Sequence, residues 1–169
     1  MAELVVRMGE IAATQDSGDV LVGLGLGSCI GLVIVDDRGS AAAMAHVVLP
    51  ESNGNAAAAG KFADTAIPQL VRELTSIGAT RSRLSAILVG GAQMFATAGK
   101  LDVGNRNEHA VREGLRAHGI PVRAAVTGGT SGRTMRVYLE SRSITCKQAG
   151  LEEVEIATWG GLAEMARAA

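Results

Sequence analysis

The stretch CIGLVIV, Cys29 to Val35, is followed by the short polar segment DDRGS and by a second apolar run, AAAMAHVVLP, that ends at Pro50. Both runs are apolar throughout instead of alternating between apolar and polar side chains, and the first is rich in β-branched residues. Asp36 and Gly39 occupy the first and fourth positions that favour a type I turn. The pattern predicts two antiparallel strands in a sheet that is buried on both faces, and hence a layered α/β or α+β domain.

Further strands and two helices are predicted around this hairpin. The predicted strands are Leu4 to Arg7, Asp19 to Leu26, Leu84 to Val89, Val122 to Val126, Met135 to Leu139 and Ile144 to Lys147. One amphipathic helix is predicted up to Gly78, capped by Asp64 or Thr65 with Pro68 in its first turn. A second helix is predicted from Asn107, as the N-cap, to Gly119. The final stretch, WGGLAEMARAA, is weakly helical in pattern.

Composition sets limits on the class of protein. The chain has 169 residues, a formal net charge of −1, 47% hydrophobic residues and 22 glycines. This length predicts one domain, and the apolar content excludes a disordered chain. The scattered basic residues argue against a nucleic-acid partner, and no apolar run is long enough to enter a membrane. The two cysteines, Cys29 and Cys146, are expected to be free thiols in a cytoplasmic protein, with Cys146 in the core.

The glycine run GLGLGSC, which begins at Gly23, invites a comparison with nucleotide-binding loops. A dinucleotide-binding turn needs a third glycine and a helix behind it, because the helix N-terminus holds the pyrophosphate. Here Ser28 occupies the third position, and the residues that follow are typical of a strand. The chain also lacks the Gly-Lys-Ser/Thr sequence of a P-loop. The run therefore does not indicate a nucleotide site.

The hairpin suggests instead that a cysteine and a histidine share one face of the sheet. If Val35 lies opposite Ser40, continuing the pairing brings Cys29 opposite His46. A register shift of two would leave both residues on one face as diagonal neighbours, whereas a shift of one would separate them. A nearby imidazole lowers the pKa of a thiol and produces the thiolate nucleophile. The alternative is that Cys29 is an ordinary buried cysteine and His46 a core histidine.

The glycines before Cys29 have a use in the catalytic interpretation. Gly25 and Gly27 would leave the backbone uncovered beside the sulfur, so that a substrate can approach it. Backbone N–H groups around Gly27, Ser28 and Cys29 could then face a developing oxyanion.

Six blocks of the sequence resemble one protein family. They are GLGLGSCIGLVIVDDRG, AAMAHVVLPES, KFADTAIPQLV, ILVGGAQMF, VGNRN and TGGTSGR, in this order between about Leu21 and Arg133. In these blocks the chain resembles the chemoreceptor glutamine deamidases of the CheD family. The resemblance implies a cytoplasmic enzyme that converts receptor glutamines into glutamates, with Cys29 as nucleophile and His46 as base. It also implies a layered sandwich like the deamidase domain of the cytotoxic necrotizing toxins, with no metal or organic cofactor.

The resemblance also implies partners and a domain boundary. Residues 1–169 are expected to form one domain of this family, with 151–169 as a weakly matched tail. The substrate would be the helical cytoplasmic part of a chemoreceptor, contacted by the loop from Glu51 to Gly60, and the phosphatase CheC is a possible second partner. Asn105, Arg106 and Asn107 are candidates to hold the active-site loop or contact the receptor, with the helix cap as the structural alternative for Asn107. Arg133 is either a receptor contact or a solvated turn residue.

One position departs from the family pattern. The family has a threonine six residues before the cysteine, usually regarded as orienting the histidine, and this chain has Gly23 there. Because glycine has no side chain, either Ser28 or a backbone carbonyl would have to take over this role. The departure leaves open a second hypothesis, a module of the same fold that binds a receptor or CheC without useful catalysis. A general amidase for small molecules is a third.

Overall fold

The computed structural model of the protein describes residues 2–55, 58–94 and 102–161. Within these residues it contains two five-stranded sheets and two α-helices. The strands are β1 (Ala2–Val5), β2 (Ile11–Thr14), β3 (Asp19–Leu26), β4 (Ile30–Asp36), β5 (Ala42–Val47), β6 (Leu84–Gly90), β7 (Val122–Thr127), β8 (Arg133–Tyr138), β9 (Ser143–Gln148) and β10 (Glu153–Thr158). The helices are α1 (Ala63–Ser76) and α2 (Val103–Ala117), and two short 3-10 helices cover Ala59–Lys61 and Arg81–Arg83.

The strands are arranged as two mixed sheets. The order in the first sheet is β1-β3-β8-β9-β10, with β1 and β3 parallel. The order in the second is β2-β5-β4-β6-β7, with β6 and β7 parallel. All other strand pairs are antiparallel.

The central strand β4 shows why its sequence is apolar throughout. Leu32 and Ile34 face the helices, where they belong to a core that includes Leu70 of α1 and Leu115 of α2. The intervening Val33 packs on the other side, in the core between the two sheets. Both faces are therefore covered, as the sequence predicts, and the layered α+β sandwich is confirmed. The sequence did not predict that the strands divide into two sheets with the helices packed on only one of them.

Two strands at sheet edges were not predicted. The strand β2 is half-buried along its whole length. The strand β10 is exposed at its first three residues. Such edge strands bury too little apolar surface to give a clear sequence pattern. The predicted C-terminal helix falls mainly on residues 162–169, outside the described residues.

Both helices begin earlier than predicted. No side chain in the described part of the chain caps α1, which starts at Ala63, so that Pro68 is its sixth residue and not part of the first turn. The carboxylate of Asp64 instead accepts hydrogen bonds from Ser52 in the preceding loop. Asp102 caps α2 by accepting the N–H of Asn105. Asn107 therefore lies inside the second helix, and its predicted role as N-cap is wrong.

The turn between β4 and β5 forms as predicted, but the strand register differs by two residues. The N–H of Gly39 donates to the carbonyl of Asp36 at 3.1 Å, which closes the predicted turn. Val35 then pairs with Ala42 and not with Ser40. The turn is fixed from outside the hairpin, because the buried Asp36 carboxylate also accepts a bidentate hydrogen bond from Arg83.

Candidate active site

Cys29 lies in the short connection between β3 and β4, at the end of the core between the two sheets. Its side chain is 8% exposed. The carbonyl of Cys29 accepts the N–H of Gly91 at 2.9 Å, and the carbonyl of Gly27 accepts the N–H of Ala92 at 2.8 Å. The residues that follow β6 therefore hold the backbone on both sides of the thiol.

Gly90 allows this close approach. Its φ is +122°, and a Cβ at this position would lie 2.1 Å from the carbonyl oxygen of Cys29. No side chain fits in that space, because even the first carbon would overlap the backbone of the cysteine. In the sequence, the Gly90-Gly91 pair marks only the end of a strand, so its part in holding the cysteine was missed.

His46 lies on β5 opposite Gly31, and not opposite Cys29 as the sequence predicted. The reason is the register shift, which places Cys29 one residue beyond the last paired position of β4, Ile30. The shift is two residues, so the period of a strand keeps the cysteine and the histidine on the same face. No hydrogen bond joins these two side chains, both of which belong to the described part of the chain.

The imidazole of His46 is held by its Nδ1 atom. Nδ1 is 3.1 Å from the carbonyl oxygen of Val6, and since a carbonyl can only accept, the proton must lie on Nδ1. Nε2 then carries a lone pair. This atom is buried and has no hydrogen-bond partner among the described residues. A nitrogen in this state is an available proton acceptor, which is what a general base requires.

The backbone of His46 is also held by the segment that follows β1. Its carbonyl accepts the N–H of Gly9 at 2.9 Å, and its N–H donates to the carbonyl of Glu10 at 3.2 Å. Together with the bond from Nδ1 to Val6, these contacts fix the histidine from the N-terminal segment, whose part in the site the sequence did not reveal.

Burial sets the protonation states of both residues. Burial raises the pKa of the Cys29 thiol, and the opposing effect of its own backbone N–H is smaller. Burial lowers the pKa of His46, and the Val6 carbonyl and the Glu10 carboxylate oppose this only in part. A neutral thiol and a neutral imidazole follow at neutral pH. The expectation that the histidine lowers the pKa of the thiol is therefore wrong for this resting geometry.

The backbone N–H groups beside Cys29 differ in whether they already have an acceptor. The N–H of Ser28 donates to no acceptor among the described residues, whereas the N–H of Gly27 donates to the carbonyl of Gly25 at 3.0 Å. Gly27 is half-buried, and a Cβ there would lie 2.9 Å from Cγ of Met94. Since the N–H of Gly27 is already used within the loop, Ser28 remains the candidate donor.

Gly23 lies on β3 and points into the core between the sheets. A Cβ at this position would lie 3.2 Å from the sulfur of Met44, which is two residues from His46 on the same strand. A residue here would face the histidine side of the core, although glycine offers no group to orient an imidazole. The imidazole of His46 has the backbone carbonyl of Val6 as its hydrogen-bond partner.

Asn105 and Arg106 are exposed on the first turns of α2. With His109, Pro50 and Glu51 they line a surface recess of about 340 Å³. Arg106 also borders a second recess of about 280 Å³, which continues along the loop from Leu49 to Asn53. The structure thus brings the two predicted contact residues against the predicted contact loop.

Arg133 has a different setting from the solvated turn that was one of its two predicted roles. Its side chain is 7% exposed, and Nη1 donates to the carbonyls of Gly90 and Gly128. It therefore joins the end of β6 to the start of the loop after β7, while contact with a receptor stays a prediction. Cys146 is buried in β9 as expected, and burial raises the pKa of its thiol.

The described residues hold no group of three or more side chains suited to a metal ion. None of the helices in this part of the chain has the length and apolar character needed to span a membrane.

Comparison with known proteins gives consistent matches. The family model described as CheD chemotactic sensory transduction matches residues 48–148. A protein of Symbiobacterium thermophilum named probable chemoreceptor glutamine deamidase CheD is 42% identical over 89% of this chain and 95% of its own length. A Thermotoga maritima protein named chemoreceptor glutamine deamidase CheD is 41% identical over 90% of this chain and 96% of its own.

A weaker likeness exists among solved structures. A Neisseria meningitidis protein of the family-model DUF152 matches 75% of this chain and 64% of its own, with a TM-score of 0.48 and 13% identity. At this level of similarity the fold assignment depends on the sheets and helices described above.

Proposed function

Because the chain belongs to the CheD family of chemotactic sensory transduction proteins, we propose that it is a cytoplasmic deamidase that converts glutamine side chains of chemoreceptors into glutamates. The observation that carries the proposal is the state of His46. Its Nδ1 proton is donated to the Val6 carbonyl, and its Nε2 is buried and has no hydrogen-bond partner within residues 2–55, 58–94 and 102–161, on the sheet face that His46 shares with Cys29.

The reaction begins with the Cys29 thiol in its neutral form. His46 Nε2 takes the thiol proton as the sulfur attacks the carbon of the glutamine carboxamide, so that charge develops only during attack. The carbonyl oxygen becomes an oxyanion, toward which the N–H of Ser28 is the available donor. The imidazolium then gives its proton to the leaving nitrogen, and ammonia departs to leave a thioester.

The second half of the reaction restores the enzyme. His46 removes a proton from a water molecule that attacks the thioester carbon, and the sulfur leaves with the proton returned by the imidazolium. The products are a glutamate side chain and the free thiol of Cys29. Both halves need only a neutral histidine that can take up and return one proton.

The receptor substrate is proposed to approach from the recesses between the loop from Leu49 to Asn53 and the first turns of α2. Glu51 and Arg106 place opposite charges on this surface, which suits a helical substrate that carries both acidic and basic side chains. The phosphatase CheC, implied by the family resemblance, is proposed as a second partner.

The test uses receptor cytoplasmic fragments incubated with the purified protein and analysed by mass spectrometry for Gln-to-Glu conversion. Cys29→Ala is expected to lower the conversion rate by at least about 10³-fold, because it removes the sulfur that forms the proposed thioester. Cys146→Ala is the matched control, since it removes the other buried thiol, and it should retain the wild-type rate.

The alternative function is that of a binding module of the same fold. The glycine at position 23 favours this alternative, because the chain then lacks the threonine that the family has there. Receptor binding with no conversion above the Cys29→Ala level would support that alternative and exclude the deamidase. Turnover of free glutamine at a rate similar to that of the receptor would instead indicate a general amidase.

A further inference from the structure

Asn107 makes an unusual pair of hydrogen bonds from inside α2. Its side chain is 0% exposed, and its Nδ2 atom donates to the carbonyl oxygens of Ser28 and Val48, each at 2.9 Å. These two acceptors are 20 residues apart in sequence and lie on the two different chain segments that carry the candidate nucleophile and base. A single carboxamide thus links both segments.

The link lies where the pairing of β4 with β5 ends. The last paired residues are Ile30 and Val47. Cys29 lies one position beyond this pair on one strand, and His46 lies one position inside it on the other. Beyond their last pair, two antiparallel strands make no direct ladder hydrogen bonds to each other. The carboxamide of Asn107 bridges the two strands at that point.

The carboxamide is poorly matched to a role in packing alone. Its Oδ1 atom is buried and has no hydrogen-bond partner among the described residues, which carries a desolvation cost. An apolar side chain of similar shape would avoid that cost. An apolar side chain could not donate a hydrogen bond to either carbonyl group, whereas the amide nitrogen of an asparagine can donate to both.

We propose that Asn107 is a positioning residue that holds Cys29 in register with His46 for proton transfer. The proposal rests on the deamidase function for its activity readout. Its other readout, alkylation of Cys29 by iodoacetamide, needs no receptor. All variants are made in a Cys146→Ala background, so that Cys29 is the only thiol.

The decisive measurement is a double-mutant cycle between Asn107→Leu and His46→Gln. Each single variant is expected to slow alkylation about tenfold, because His46 takes the thiol proton during attack on iodoacetamide as it does during attack on the carboxamide. Asn107→Leu should also lower kcat for deamidation about 10²-fold with KM nearly unchanged, as for a misplaced reacting group. In the His46→Gln background, Asn107→Leu should change the alkylation rate less than about twofold. In that background there is no base at position 46, so misplacing Cys29 relative to it has no further effect.

Several results would overturn the proposal. If the two effects multiply, Asn107 acts on the fold in general and not through the histidine. If His46→Gln leaves alkylation unchanged, there is no alignment for Asn107 to maintain. Should Asn107→Leu fail to fold, Asn107→Ala, which removes both donors without adding side-chain volume, enters the same cycle.

Two controls complete the design. Glu113→Gln, on the exposed side of the same helix, should leave alkylation and kcat unchanged. If the protein with the native Asn107 and His46 converts no receptor glutamine, the proposed function is refuted. The role of Asn107 still stands if the alkylation rates of the double-mutant cycle show coupling between Asn107 and His46.

Discussion

Nδ1 of His46 donates its proton to the backbone carbonyl of Val6, 3.1 Å away. Val6 is itself fixed, since its side chain is buried in the core between the sheets and its N–H donates to the carbonyl of Val22 at 2.8 Å. An acceptor on Nδ1 fixes the tautomer and the ring orientation of a catalytic histidine, whether the acceptor is a side chain or a peptide group. The N-terminal segment therefore supplies what Gly23 cannot.

The pH dependence of the activity follows from the burial of His46. Burial lowers the pKa of this imidazole below its ordinary value of 6.5, so protonation removes the base only below that pH. The acid limb of kcat/KM is expected to lie below pH 6.5. An NMR titration of the imidazole should give the same midpoint. A midpoint at or above 6.5 would show that a charged partner, and not burial, controls this residue.

The same shift affects stability, with a defined sign. As the pH falls below 6.5, the unfolded chain takes up the proton before the folded chain does. The stability that neutral His46 contributes is therefore complete above that pH and is lost as the pH falls toward the folded pKa. His46→Gln, which cannot be protonated, should show a smaller loss of stability over this window in urea unfolding.

Gly23→Thr, which introduces the threonine that the family has at this position, is expected to change kcat less than about threefold, because the Val6 carbonyl already orients His46. The Cβ would lie 3.2 Å from the Met44 sulfur, and that side chain is flexible enough to move by the few tenths of an ångström required. Gly23→Ala is the control, since it adds the same carbon without the hydroxyl. A tenfold gain in kcat for threonine and none for alanine would mean that the carbonyl is an inadequate substitute.

The sequence predicted those features of the site that depend on periodicity. Cys29 and His46 remain on one face because a strand repeats every two residues, so the error of two in register did not separate them. The register itself was not predictable, since Arg83 fixes Asp36 from a distant part of the chain. The acceptor on Val6 is a backbone carbonyl, and every residue has one, so no side chain signals it.

The central layers of the fold were predictable for a similar reason. Ile30 to Val35 is apolar throughout, and only a strand that is covered on both sides needs such a sequence. The role of Asn107 depends on a contact with Ser28 that is remote in sequence. Its spacing within the helix gave no indication of that contact.

Asp36 is expected to control the acid stability of the hairpin. Burial alone would raise the pKa of this carboxyl, but hydrogen bonds from Arg83, Thr80 and Arg38 hold it well below its ordinary value of 3.8. Its contribution to stability is therefore complete above that value and is lost as the pH falls through the folded pKa. Asp36→Asn should destabilise the protein by about 2 kcal/mol at neutral pH, and the difference should narrow below about pH 4.

The neighbouring aspartate provides the control for this measurement. Asp37 pairs with Arg123 and also accepts the hydroxyl of Ser85, which the amide oxygen of an asparagine could still do; its side chain is 35% exposed. Asp37→Asn should cost less than about 1 kcal/mol, as for other exposed ion pairs. Equal losses for the two variants in urea unfolding at neutral pH would contradict the special role of Asp36.

Gly90→Ala is expected to disrupt both the fold and the position of the nucleophile. The new Cβ would lie 2.1 Å from the carbonyl oxygen of Cys29, so the backbone must move and the bond from the Gly91 N–H must lengthen or break. The positive φ of +122° adds strain for any residue with a side chain. We expect a loss of at least about 3 kcal/mol in the free energy of unfolding, together with altered alkylation of Cys29.

Gly150 separates the effect of the close approach from that of the positive φ alone. Its φ is +79°, and a Cβ there would have no atom of the described residues within 4 Å. Gly150→Ala should therefore cost only about 1 kcal/mol and leave Cys29 alkylation unchanged, because only the backbone conformation is strained. If the two variants unfold at the same urea concentration, the contact between Gly90 and Cys29 is not what requires glycine, and strain in the backbone alone explains its presence.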